Sequence, residues 1–187
     1  TTLPTSGETI DASTGEITGG LSGTTYSVTY TTLGICPQSS IVPVTVNPLD
    51  DASFTLTDYC EGSSNSATVT GTTGGTFTFT TLPTSGETID ASTGEITGGL
   101  SGTTYSVTYT TSGICSQTST QTVTVNPLDN ASFTLTDYCE GSPNSATVSG
   151  SSGGVFTFTI PPAGGETINA STGEITGGVA GTTYSVT

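Results

Sequence analysis

The chain has no lysine, arginine, histidine, methionine or tryptophan, and its 15 acidic residues give it a formal charge of −15 that no basic side chain balances. Nucleic acids and anionic membrane surfaces are bound through basic residues, so neither class of partner suits this chain. Catalytic triads, Schiff bases and imidazole metal sites are excluded because they need histidine or lysine. Paired carboxylates without a cleft or a tryptophan platform make a poor glycosidase, and we therefore expect no enzymatic activity.

Long apolar runs are also missing. No stretch approaches the roughly 20 apolar residues of a membrane span, and the first residues have neither the basic start nor the apolar segment of a signal peptide. We therefore expect no membrane insertion in this segment, and any targeting signal to lie outside it.

Threonine dominates what is present. The chain has 46 threonines, only 30 % hydrophobic residues and 8 % charged residues. Its Val, Ile, Phe, Tyr and Leu residues alternate with Thr and Ser, unlike those of a disordered tract. The composition predicts folded β domains with thin cores and neutral, hydroxylated surfaces.

The sequence repeats itself with a period of 79 residues. Residues 1–32 recur unchanged at 80–111, and residues 47–71 recur at 126–150 with three substitutions. Solenoid coils are about 20–45 residues long, so this longer period indicates a small autonomous domain. We expect the sequence to be part of a longer array.

The domain boundary falls at Asn-Pro-Leu-Asp, residues 47–50 and 126–129, which follows an alternating run in both copies. Its proline cannot donate to a strand ladder, so the motif suits a short joint. The predicted domains are one complete repeat at 47–125, the C-terminal part of a repeat at 1–46, and the N-terminal part of the next repeat at 126–187.

Alternation within the complete repeat predicts about seven short strands and no helix. They are expected at 53–57, 67–70, 76–80, 104–110 and 117–125, with a hairpin formed by 87–89 and 95–97. Seven short strands separated by Gly-rich turns are typical of an immunoglobulin-like β-sandwich. The predicted fold class is therefore all-β, with tandem immunoglobulin-like domains.

Several segments carry a family resemblance: residues 89–98 (IDASTGEITG), 102–108 (GTTYSVT), 53–60 (SFTLTDYC) and 113–115 (GIC). They resemble the immunoglobulin-like repeats of giant bacterial surface adhesins, and are similar to gliding-motility adhesins exported by type IX secretion. The resemblance implies an extracellular stalk at the bacterial cell surface, with neighbouring repeats as its partners and no catalytic residues.

Two alternatives stay open. Thr- and Tyr-bearing strand faces could bind surface glycans or another ligand directly. An incomplete sandwich could instead accept a strand from the next subunit and build a self-assembling filament.

The four cysteines, Cys36, Cys60, Cys115 and Cys139, fall at two positions of the repeat. An extracellular setting favours disulfides, and the default pair is Cys60 with Cys115, which leaves the partners of the other two outside the sequence. In an ordinary sandwich these two turns lie at opposite ends. A second scheme therefore joins Cys60 to the cysteine 79 positions beyond Cys115, and a third joins Cys36 to Cys60 and Cys115 to Cys139.

Calcium is the candidate cofactor to consider, because the chain offers hard oxygen ligands and no histidine. Asp50, Asp51 and Asp129 lie at the joints, but Asn130 stands where Asp51 would recur and no calcium-loop motif is present. Solvated turn carboxylates are the simpler interpretation, and we assign no cofactor.

Tyr26, Tyr105 and Tyr184 each stand near the start of a predicted strand. This position is typical of a tyrosine whose hydroxyl ties a loop, so we expect a structural role.

Overall fold

The computed structural model describes residues 7–187, so the first six residues of the predicted 1–46 segment lie outside the described part. The described part is all-β, and none of its residues is helical. Within that range, accordingly, no helix has the length and apolarity needed to cross a membrane. The chain divides into two compact units, Thr1–Asn126 and Pro127–Thr187.

Residues 7–187 form sixteen strands, in chain order β1 (Thr9–Ile10), β2 (Ile17–Thr18), β3 (Thr25–Thr31), β4 (Ser39–Thr45), β5 (Phe54–Thr55), β6 (Tyr59–Cys60), β7 (Thr68–Val69), β8 (Thr76–Phe79), β9 (Thr88–Ile89), β10 (Ile96–Thr97), β11 (Thr104–Thr110), β12 (Thr118–Asn126), β13 (Phe133–Thr134), β14 (Thr147–Val148), β15 (Thr167–Ile168) and β16 (Ile175–Thr176). Most have two residues, and only β3, β4, β11 and β12 have seven or more.

Strands β5 to β12 belong to the complete repeat. A four-stranded sheet has the order β6-β12-β11-β8, and β5-β7 and β9-β10 form separate antiparallel pairs. The predicted hairpin is confirmed, since Ile89 lies opposite Ile96. Predicted strands also form at 54–55, 68–69, 76–79, 104–110 and 118–126.

Strand β6 was not predicted. It pairs in parallel with β12, and Cys60 lies opposite Asn126. The backbone N–H of Thr124 donates to the Asp58 carboxylate at 2.8 Å, which anchors the segment just before β6 to the same strand. The complete repeat thus has eight strands instead of seven.

Alternation on β11 places Tyr105, Val107 and Tyr109 on one buried face, as expected. They join a core cluster that also includes Phe54 of β5, Phe77 of β8, Ile96 of β10, and Val123 and Val125 of β12. The cluster therefore draws residues from three of the sheets.

Three aromatic rings form the centre of this cluster. The ring of Phe77 is 5.3 Å from that of Phe54, edge to face, and 4.6 Å from that of Tyr109. Gly94 makes this packing feasible, because it has a φ of 70° and a Cβ there would lie 3.2 Å from the Phe77 ring. Offset and edge-to-face ring pairs are the favourable arrangements.

The partial repeats keep the same local pairings. In the partial repeat at 1–46, β1 pairs with β2 and β3 pairs with β4. In the partial repeat at 126–187, β13 pairs with β14 and β15 pairs with β16. Their apolar faces are more open: Val44 is 41 % exposed, whereas its counterpart Val123, 79 residues later, is fully buried.

Candidate functional site

The joint at residues 47–50 is fixed to the turn that precedes β12. The backbone N–H of Asp50 donates to the Cys115 carbonyl at 3.1 Å, and the Asp50 carboxylate accepts a hydrogen bond from the Gly113 N–H at 3.0 Å. A Cβ on Gly113 would collide with this carboxylate. The Cys115 thiol donates to the Asn47 carbonyl at an S–O distance of 3.7 Å. The joint is thus part of the domain and not a free linker.

Asp51 stabilises the next turn. Its carboxylate accepts hydrogen bonds from the N–H and the hydroxyl of Ser53, which hold the pKa of Asp51 below its ordinary value, the hydroxyl bond having the larger effect. In the second unit Asn130 takes this place and accepts from the Ser132 N–H at 3.0 Å. An amide can replace the carboxylate, so the position requires a hydrogen-bond acceptor and does not require a charge.

The calcium candidates are not brought together as a ligand set. Asp50 and Asp51 face different turns, and Asp129 belongs to the other unit. Residues 7–187 contain no group of three or more acidic, cysteine or histidine side chains arranged to hold a metal ion.

The far end of the complete repeat carries the second cysteine position. Next to Cys60, which lies opposite Asn126, the N–H of Glu61 donates to the Asn126 carbonyl at 2.9 Å. Cys115 instead precedes the first residue of β12. It lies at the opposite end of the repeat, beside Asn47, the first residue of the joint at 47–50. The two cysteine positions therefore lie at opposite ends of β12.

All four cysteines are free thiols in the structure. Cys36, Cys60 and Cys139 are exposed and Cys115 is partly exposed. The bond predicted between Cys60 and Cys115 is not formed.

Each structural tyrosine ties a loop and also binds a glutamate. The Tyr105 hydroxyl accepts a hydrogen bond from the Leu100 N–H at 2.8 Å and donates to the Glu87 carboxylate at 2.8 Å. The same pair recurs as Tyr26 with Glu8 and Tyr184 with Glu166.

The bond between this glutamate and the tyrosine was not predicted from the sequence. The constant spacing of 18 residues in all three copies was the available signal. A hydrogen bond from its own N–H, helped by the Tyr105 hydroxyl, holds the pKa of Glu87 below its ordinary value. Burial and the adjacent carboxylate raise the pKa of Tyr105.

Several threonines on the outer face of the four-stranded sheet hydrogen-bond to one another. The hydroxyls of Thr104 and Thr124 are 2.9 Å apart, those of Thr108 and Thr120 are 3.1 Å apart, and Thr80 lies 2.8 Å from Thr108. This outer face of the sheet is a hydroxyl network whose hydrogen-bonding capacity is partly used within the chain.

One open groove is a core face that lacks facing strands. It has a volume of about 540 Å³ and is lined by Ile17, Val28, Val42 and Val44 of the first partial repeat. Three of these, Ile17, Val28 and Val44, have counterparts in the core of the complete repeat. The groove is therefore better explained by packing than by a ligand.

Three buried polar atoms in the described range have no hydrogen-bond partner: the hydroxyls of Tyr59 and Tyr138 and the side-chain nitrogen of Asn65. Tyr59 and Tyr138 occupy the same position of successive repeats, and each hydroxyl lies against a glycine backbone, Gly99 or Gly178. Tyr138 also lines two open grooves of the second unit, one with Glu140 and Glu174 and the other with Asp137 and Asn144.

No protein-family model matches the chain, and a search of curated proteins finds no matching sequence.

Proposed function

We propose that the chain is a structural segment of an extracellular stalk or filament, in which tandem immunoglobulin-like domains give reach and mechanical stability to a bacterial surface adhesin. The domains themselves catalyse no reaction and hold no cofactor. Their principal partners are neighbouring repeats of the same chain.

The immunoglobulin-like part of the proposal is supported by how the core is assembled. Phe54 of β5 and Ile96 of β10 pack with Phe77 of β8 and Val123 of β12, which belong to a different sheet. Side chains from separate sheets that share one core are expected for two layers packed face to face.

One observation carries the stalk proposal: the complete repeat starts and ends at opposite ends of its longest strand. The joint at Asn47 lies beside Cys115, before β12 begins, and the repeat ends at Val125, the last residue but one of β12. The nine residues of β12 span about 30 Å at the usual rise of about 3.3 Å per residue. Repeats joined in this way add length along one direction.

Direct ligand binding by the repeats is less well supported. The threonine hydroxyls that a glycan or ice surface would contact are partly engaged with one another. The groove of the first partial repeat is an apolar core face, whereas specific sites need several converging polar groups.

The test measures length against repeat number. The chain is compared with versions that contain one, two or three further copies of residues 47–125, by small-angle X-ray scattering and by electron microscopy of single molecules. We expect the maximum dimension to grow linearly by at least about 30 Å per added copy. A dimension that grows only with a small power of chain length, as in a compact globule, would refute the stalk.

Surface location is tested separately on the producing cells. A fluorescent antibody against residues 47–125 should label intact bacteria without permeabilisation, and brief protease treatment of the cells should remove the label. Label that appears only after permeabilisation would contradict the extracellular assignment.

A further inference from the structure

The structure places Cys60 at the point where its repeat ends. Cys60 lies opposite Asn126 in the β6-β12 pairing, and adjacent strands are about 4.8 Å apart. The thiol is exposed. The neighbouring Glu61 N–H donates to the Asn126 carbonyl at 2.9 Å, so this stretch follows the Asn126 backbone closely.

Cys115 lies at the point where the same repeat begins. Its thiol is 3.7 Å from the Asn47 carbonyl, and its own carbonyl accepts the Asp50 N–H at 3.1 Å. These two contacts fix Cys115 against the first residue of the joint.

Asn47 and Asn126 are the same residue of successive repeats. They are 79 positions apart, and each begins an Asn-Pro-Leu-Asp joint. When the contact between Cys115 and Asn47 recurs one repeat later, the cysteine 79 positions beyond Cys115 lies against the Asn126 carbonyl. That carbonyl belongs to the residue that Cys60 faces, so both thiols come to the same residue.

The alternative bond within one repeat is sterically excluded while β12 is intact. Cys60 is level with the last residue of β12, whereas Cys115 precedes its first residue. Nine strand residues span about 30 Å, but the two Cα atoms of a disulfide are about 4.4–6.8 Å apart. Cys139 is the counterpart of Cys60 in the following repeat. By the same register it lies at the end of that repeat, away from the joint at 126–129, which argues against a bond between Cys115 and Cys139.

We infer that Cys60 forms a disulfide with the counterpart of Cys115 in the following repeat. Successive repeats are then connected at each joint by this covalent bond as well as by the backbone. This inference rests on the proposed tandem array. The two thiols lose two protons and two electrons to a disulfide oxidant, such as glutathione disulfide or an oxidised dithiol oxidoreductase. Thiol–disulfide exchange reduces that oxidant to two thiols as the new S–S bond forms.

The test uses the full chain completed by a copy of residues 109–126 appended after Thr187. Thr187 is the counterpart of Thr108, so the addition finishes the third repeat and introduces a cysteine 79 positions beyond Cys115. The protein is refolded with a mixture of reduced and oxidised glutathione, and free thiols are then alkylated. Digestion after glutamate and mass spectrometry without reduction identify the linked peptides.

Cleavage after glutamate divides the five cysteines among three peptides of different mass. It places Cys36 and Cys60 on residues 17–61, Cys115 and Cys139 on residues 96–140, and the added cysteine on the C-terminal peptide. We expect residues 17–61 to be linked to the C-terminal peptide. The link should disappear in Cys60→Ser and persist in Cys36→Ser, the matched control on the same peptide.

Two results would overturn the inference. The first is a link between residues 17–61 and 96–140 that is lost both in Cys60→Ser and in Cys115→Ser. The second is full alkylation of Cys60 in a chain whose amide NMR spectrum remains that of the folded protein.

The outcome is separable from that of the proposed stalk. If the length measurements with reducing agent still give linear growth, the stalk stands whether or not the disulfide forms. If the disulfide forms but the length does not grow linearly, the stalk proposal is refuted. The disulfide then still joins successive repeats, in an assembly that is not a rod.

Discussion

Replacing Tyr109 by phenylalanine tests whether the core of the complete repeat depends on a buried hydroxyl. Only 1 % of Tyr109 is exposed. Its hydroxyl donates to the Thr72 carbonyl at 2.8 Å and accepts from the Gly75 N–H at 2.9 Å. Tyr109→Phe removes both bonds while its ring keeps the contact with Phe77, 4.6 Å between centroids.

The expected cost follows from the two backbone groups that lose their partner. A typical hydrogen bond contributes about 1 kcal/mol net, and a buried group left unpaired costs about 1–3 kcal/mol. Thr72 and Gly75 are partly exposed, so water replaces some of what is lost. We therefore expect a loss of about 1–3 kcal/mol in the free energy of unfolding. In a domain of 60–100 residues, each kcal/mol lowers Tm by about 4–8 °C.

The matched control is Tyr30→Phe. Tyr30 is the counterpart of Tyr109 in an identical sequence context, but it is 70 % exposed. Its replacement should change stability by less than about 0.5 kcal/mol. Urea unfolding followed by amide NMR signals of β8 and β12, whose sequences differ from those of the neighbouring repeats, reports on the complete repeat alone. An equal effect of both substitutions, or none from Tyr109→Phe, would refute the reasoning.

Three further outcomes are expected from the same urea assay. Phe77→Ala should cost about 3–5 kcal/mol because it leaves a cavity among the core rings, and a cost under about 1 kcal/mol would contradict the packing described. Gly94→Ala should cost more than Gly102→Ala: both glycines have positive φ, 70° and 74°, but only at Gly94 does a Cβ meet neighbouring atoms. Equal costs would show that the close contact is unimportant. Asp90→Asn should make the stability of the complete repeat less sensitive to acid. Hydrogen bonds from the Thr93 and Ser92 N–H groups hold the pKa of Asp90 below its ordinary value, so its contribution is present above about pH 4 and is lost as pH falls through the folded-state pKa. Asn169 makes the same bonds in the third repeat, so the variant should fold. If the loss of stability below about pH 4 were the same in both proteins, Asp90 would not be its source.

Local patterns in the sequence were sufficient for the long strands and the tight hairpin. Tyr105, Val107 and Tyr109 alternate with polar residues, and β11 buries all three. Within the predicted hairpin turn, the Asp90 carboxylate accepts the Ser92 and Thr93 N–H groups at 2.8 Å. Such features depend on residues a few positions apart.

Features that depend on distant residues were not predictable in the same way. Strand β6 has only two residues and no alternation of its own, and it exists because β12 lies beside it. Burial is equally non-local: the identical segments around Tyr30 and Tyr109 differ in exposure because only the second has facing strands. The positions of the cysteines relative to the joint likewise follow from the register of β6 on β12.

The parallel pairing of β6 with β12 determines how the complete repeat would respond to tension. A pull on its two ends draws β12 outward at Asn126 while β6 is held through the chain that begins at Asn47. The hydrogen bonds between the two strands lie across this direction, so they are sheared together and do not open one after another. Breaking several bonds at once requires a higher force than unzipping them singly, although the equilibrium stability is the same. A two-residue strand can thus raise the rupture force of a domain whose core is small.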